Sequence, residues 1–211
     1  MKIRLVFEKN IRYISHLELM RGIQKILKRS GLSLRYSEGF NPHIVLSIAA
    51  PLPVGVCGRQ EFADFEIKDD FTKSEVLEKL ISASDSSLKP KDVFIDCKKS
   101  FNDVTYAEYK IDILTDEKDK IEEFFSREEI MTEKKAKGKI KLINLKEYIH
   151  TAVFSEIEGG VSARCVLACG NEKNLNPMLI RKTMKAEGIK LEIFNALRLG
   201  IYDKNMNGFT E

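Results

Sequence analysis

His16 and His43 are the titratable side chains best placed for chemistry near the N-terminus. His16 follows Ser15 at a predicted helix start, where free backbone N–H groups and the positive end of the helix favour an anion such as phosphate and disfavour a charged imidazole. A phosphate contact or a general acid–base role fits that position, and so does a structural histidine holding the loop. His43 closes the run Gly39-Phe40-Asn41-Pro42-His43. An exposed aromatic ring there can stack on an unpaired base, and Asn41 can read a base edge. The plainer alternative has Phe40 closing the core and Asn41-Pro42 building the turn.

Arg21, Lys25 and Lys28 are spaced by four and three, which aligns them on one helix face, and Arg29 and Arg35 extend the row. Such a row suits a phosphate backbone, although charged helix faces are commonly just solvated. The candidate nucleic-acid contacts are therefore His16, Arg21, Lys25, Lys28, Arg35, Phe40, Asn41 and His43. As an enzyme, the chain has only His16 and His43 to offer as catalytic groups, and it reads more readily as a non-enzyme. A second basic cluster, Lys134–Lys139 (KKAKGK) with Lys141, has the composition of a flexible arm.

Cys57, Cys97, Cys165 and Cys169 contain no C-x-x-C pair. Free thiols are expected, with neither a metal site nor a cofactor; Cys165 and Cys169 would need His150 and a further ligand beside them to hold a metal.

The 211 residues suffice for two domains, with 43% hydrophobic and 32% charged residues, a globular composition. Net charge is +3, yet residues 1–50 hold nine Lys or Arg against three acids, an excess of six positive charges, which suggests a localised anionic partner. No apolar run approaches the ~18 residues of a membrane span, and MKIRLVFEKN reads as a strand rather than a signal peptide, so a cytoplasmic location is expected.

The elements follow from periodicity and punctuation. Lys2–Phe7 alternates as a half-buried strand, with Ile3, Leu5 and Phe7 inward and Lys2, Arg4 and Val6 outward. Ser15 and Glu18 form a capping box for a helix reaching about Ser30, with Leu19, Met20, Ile23, Ile26 and Leu27 as its buried stripe and Gly31 as its stop. Short strands are expected over Leu32–Tyr36 and Ile44–Ala49, with a turn between them. A rigid Pro51–Gly55 loop, a strand Glu61–Ile67, a helix Thr72–Ser82 and a strand Val93–Cys97 follow. A second round comprises a strand Tyr106–Leu114, a helix Glu117–Phe125, a short strand Ile130–Glu133, a hairpin Tyr148–Ile157/Gly160–Ala168, a helix Asn176–Gly188 with Pro177 in its first turn, and a strand Leu191–Tyr202 before a polar tail. The expected fold is α+β: two ferredoxin-like, split βαβ units packed together, spanning 1–101 and 102–211, the second carrying the basic loop 134–141.

Three blocks carry a family resemblance: Ser15-His16-Leu17-Glu18-Leu19-Met20-Arg21; Tyr36-Ser37-Glu38-Gly39-Phe40-Asn41-Pro42-His43; and Pro51-Leu52-Pro53-Val54-Gly55 followed by Glu61 and Asp64. Their order resembles the radical-SAM-linked family, a domain of unknown function found fused to, or encoded beside, B12-binding-type radical SAM proteins. Two positions depart from the pattern: Glu18 replaces a usual Asp, and Cys57-Gly58 stands where a Ser is common. The resemblance implies a radical SAM enzyme as partner. The chain lacks the three close cysteines of a radical SAM cluster.

With the basic N-terminus, the expectation is a non-catalytic accessory protein that binds RNA of tRNA or rRNA type and works with that partner in RNA modification or translation-related processing. One alternative is a metal-independent RNA-processing endonuclease resembling the CRISPR repeat-cleaving proteins; another is a pure protein-interaction subunit.

Overall fold

The computed structural model describes residues 1–136 and 138–210, with nothing stated for the side chain of Ala136. The chain divides into two compact units, one of Met1–Val104 together with the chain from Gly200 on, the other of Thr105–Leu199. The architecture is mixed α+β.

The first unit runs β1 (Lys2–Lys9), α1 (His16–Arg29), β2 (Leu46–Ile48), β3 (Val56–Glu66), α2 (Lys73–Ala83) and β4 (Leu88–Ile95). Its strands lie in the order β4-β1-β3-β2, every neighbouring pair antiparallel. Each helix thus carries the chain between two parallel strands with a third strand lying between them. Ile3, Leu5, Phe7, Ala63 and Phe65 form one core with Leu19, Ile23 and Leu27 of α1 and Val76 and Leu80 of α2. Burying each such side chain fully stabilises the fold by roughly 1.5–3 kcal/mol.

β1 is buried on both faces rather than half-buried, because Arg4 and Val6 are also buried. Residues 32–36 form no ladder strand: Leu34 bridges Ile67 and Tyr36 bridges Ile44, each in isolation. The expected strand Ile44–Ala49 shortens to β2. The polar tail is not loose either, since Phe209 is fully buried, its ring 6.3 Å from both Phe62 and Phe101.

The second unit runs β5 (Tyr106–Leu114), α3 (Lys118–Ser126), β6 (Met131–Ala136), β7 (Lys139–Asn144), β8 (Ile149–Ile157), β9 (Gly160–Ala168), α4 (Pro177–Ala186) and β10 (Ile193–Tyr202), the last of which ends among residues of the first unit. Its sheet order is β10-β5-β9-β8, while among the described residues β6 and β7 pair only with each other as a two-stranded ribbon. The basic 134–141 segment is therefore a paired ribbon and not an unstructured arm, although Lys137 lies outside the described residues. Among the described residues no helix is long and apolar enough to cross a membrane.

Candidate functional site

α1 begins as its sequence dictates. Ser15 Oγ accepts the Glu18 N–H at 3.2 Å, and Glu18 Oε2 accepts the Ser15 N–H at 2.7 Å. The Ser15 backbone N–H, followed by the Ser15 hydroxyl, holds the Glu18 carboxyl below its ordinary pKa. Ile14, just before the cap, packs against the core that contains Leu19. Leu19, Ile23, Ile26 and Leu27 are buried and Met20 is half-buried, which turns Arg21, Lys25 and Lys28 to solvent on the opposite face. Among the described residues those three cations form no ion pair within 4.0 Å. His16 is exposed in the first turn, beside the Glu18 carboxylate that already sits at the positive helix end. Gly31 ends the helix with φ +69°, a backbone conformation that glycine adopts without strain.

The turn 37–43 is a side excursion of the edge strand. The Arg35 N–H donates to Glu66 O at 2.9 Å, the Val45 N–H to Arg35 O at 3.1 Å, and the Ser37 N–H to His43 O at 2.8 Å. Ser37 Oγ accepts the His43 N–H at 3.1 Å and lies 2.9 Å from His43 Nδ1, which is itself 3.5 Å from Asn41 O. Gly39 sits at φ +117°, where a Cβ would be strained. This Ser–His contact is chiefly a staple: the hydroxyl that could serve as nucleophile is engaged by the backbone of the same turn. The turn brings Ser37, Asn41 and His43 together and leaves Phe40 fully exposed at its tip. Arg35 is drawn into an ion pair with Glu66 at 2.8 Å, away from any free cationic row.

The loop leading into α1 adds residues that spacing did not single out. Tyr13 is 80% exposed, and Leu17 and Val54 are also exposed. The Gly55 N–H donates to Arg12 O at 2.8 Å, and Asn10 is held by Ser86 O and Ser87 O at 2.9 Å each. The first bond ties the Pro51–Gly55 loop to the loop before α1, and the Asn10 bonds tie that loop to the segment before β4. The readable signal was an aromatic residue inside a short polar loop flanked by Arg12.

Asp64 and Glu61, both within the third sequence block, are structural. Arg4 donates to both Asp64 oxygens at 2.8 Å, to Phe209 O at 3.0 Å and to Lys99 O at 2.7 Å, with Phe101 over its guanidinium at 4.3 Å. Glu61 is buried, with its side chain over Gly58. Buried Lys9 donates to Val56 O at 2.8 Å.

Cys97, Cys165 and Cys169 are buried and Cys57 is half-buried. Burial pushes the Cys165 thiol up to about 12 and raises that of Cys97, so both stay protonated. The His150 ring packs 4.9 Å from the Tyr106 ring. Among the described residues no three His, Cys, Asp or Glu side chains converge as metal ligands would.

All eight candidate contacts lie in a region matched by one family model: residues 2–177 match uncharacterized protein conserved in bacteria (DUF2344). The chain belongs to this family. The match takes in all of the first unit up to Val104 except Met1, and it runs on to the first residue of α4, well past the three sequence blocks. No curated protein matches the chain.

Proposed function

We propose that this member of the family binds RNA through its first unit and serves as a non-catalytic accessory to a radical SAM enzyme. The observation that carries the reading is Phe40. Its ring stands fully in water at the tip of a turn stapled by Ser37 and His43. A ring held that way offers an open face on which an unpaired base can stack. Arg21, Lys25 and Lys28 supply a cationic helix face in the same unit, and Tyr13 is a second exposed ring. Phosphates would bind along the cations while a base stacks on Phe40 and the Asn41 amide meets its edge. The partner follows from the resemblance of the three sequence blocks to the radical-SAM-linked family.

Electrophoretic mobility shifts with bulk tRNA and rRNA at two salt concentrations test the RNA reading. Phe40→Ala should weaken binding by about tenfold, corresponding to stacking worth roughly 1–3 kcal/mol per base. Replacing Arg21, Lys25 and Lys28 together by Glu should flatten the salt dependence, each phosphate contact contributing a slope of about 0.7 on single strands. Absence of binding at low salt would end the proposal. The partner is tested by co-purification with a B12-binding-type radical SAM protein, with and without nuclease.

A further inference from the structure

The ribbon β6–β7 carries chemistry that the RNA reading leaves unused. Its cross-strand pairs run from Met131 opposite Asn144 to Ala136 opposite Lys139. Alternation along the strands sorts the side chains by face. Met131, Glu133, Lys135, Ile140 and Leu142 share one face; Thr132, Lys134, Lys139, Lys141 and Ile143 share the other.

β6 is fastened to its own unit. Thr132 Oγ1 accepts from Thr183 Oγ1 at 2.8 Å, and Lys134 Nζ donates to Asn174 O at 2.6 Å. β7 is not fastened in this way: Lys139, Ile140, Lys141 and Leu142 are all exposed, the two aliphatic residues at 65% and 66%. Among the described residues β7 pairs with β6 alone, so its outer edge presents unpaired backbone N–H and C=O groups.

Lysines on such an edge can serve simply to repel other strands. Two observations go beyond that role. Three apolar side chains, Met131, Ile140 and Leu142, are exposed on one face, and on β7 itself that face carries Ile140 and Leu142 with no charge between them. On the other face Lys134 stands opposite Lys141; Lys134 is held by Asn174 O and the Tyr148 ring, while Lys139 and Lys141 point their charge into solvent, where an acidic side chain can meet them. Burial also weakens the hold of Lys134 on its proton.

We propose that the outer edge of β7 receives an extended segment of a partner protein in which apolar and acidic residues alternate. Backbone hydrogen bonds from the free edge would supply affinity. The period of two would lay the apolar residues beside Ile140 and Leu142 and the acids beside Lys139 and Lys141. A polynucleotide would leave both the backbone edge and the aliphatic stripe without partners.

The test uses the full chain and a fluorescent synthetic peptide of about ten residues alternating Val and Glu, followed by anisotropy. A second peptide has the same composition with its Val and Glu residues in two blocks. The alternating peptide should bind at least about tenfold more tightly than the blocked one and lose about tenfold with the K139E/K141E protein. It should also slow amide exchange at residues 139–142. Equal binding of the two peptides, no binding of the alternating one, or unchanged affinity of K139E/K141E would each overturn the proposal. So would protection of 139–142 by poly-U RNA, by phosphatidylglycerol vesicles or by self-association of the wild-type chain in place of the peptide. Should K139E/K141E fail to fold, the two-peptide comparison on the wild-type chain decides alone.

Discussion

Arg4 on β1 and Asp64 on β3 are register partners, and they meet through two parallel N–H···O bonds of 2.8 Å with the guanidinium fully shielded from water. Two further guanidinium hydrogens go to the carbonyls of Lys99 and Phe209, so four of the five N–H groups of Arg4 are bonded. Removing Asp64 strands the buried guanidinium, whereas Asp64 without Arg4 still keeps Lys2 Nζ at 3.0 Å. Asp64→Asn should therefore cost about 3–5 kcal/mol in chemical denaturation and Arg4→Met less, and the combined Arg4→Met/Asp64→Leu change should cost clearly less than the two added together. Single losses below about 1 kcal/mol would mean that water reaches the pair.

Asp203 gives the tail a pH dependence. The side-chain hydrogen bond from Lys99, followed by the backbone N–H of Asn207, holds its carboxyl down to about 2, against an ordinary 3.8. The unfolded chain therefore takes up the proton first. The contribution is whole above pH 3.8 and fades as the pH falls through about 2. Asp203→Asn should remove that part of the acid limb in unfolding curves recorded between those values, and an unchanged acid limb would contradict the Lys99 contact.

Gly58 is required for room. A Cβ there would overlap the Glu61 carboxylate and lie 2.6 Å from its Cδ, and Glu61 is buried, so making room means displacing a packed side chain. Gly58→Ala should cost about 1–3 kcal/mol of overpacking, and much less in a Glu61→Ala protein. A full cost on the Glu61→Ala background would locate the strain elsewhere.

Ser15→Ala should destabilise the protein by about 1 kcal/mol by removing the cap of α1, while Ser15→Asp should be nearly neutral. Thermal unfolding monitored by circular dichroism reads both, and an equal loss in the Asp protein would rule out capping as the cause.

Phe40→Ala should leave stability within about 0.5 kcal/mol of the wild type, since nothing packs on the ring, while RNA affinity falls. A large loss of stability would show that Phe40 closes a core after all.

The legible parts of this chain are the local ones. Ser15 with Glu18, the apolar stripe of α1, Gly31 and the β8–β9 hairpin all announce themselves within a few residues, because caps, periodicity and turns are short-range physics. Arg4 was illegible for the opposite reason. A charged residue in an alternating strand reads as outward-facing, and the carboxylate that permits its burial lies sixty residues away. Lysines dominate the ribbon's composition and give it the look of an arm, whereas its register sets two strands side by side with Lys134 opposite Lys141. Of the candidate contacts, the row Arg21, Lys25 and Lys28 followed directly from helical spacing. The tie of Arg35 to Glu66 and the exposure of Tyr13 depend on loops whose courses are set by distant backbone hydrogen bonds.

The burial of Phe209 has a consequence for biosynthesis. A chain emerging from the ribosome presents β1 to β4 early, yet the carbonyl of Phe209 that accepts from Arg4, and the ring beside Phe62, arrive only after all of Thr105–Leu199 has been made. The earlier-made unit therefore stays incompletely closed until the later one has been synthesised.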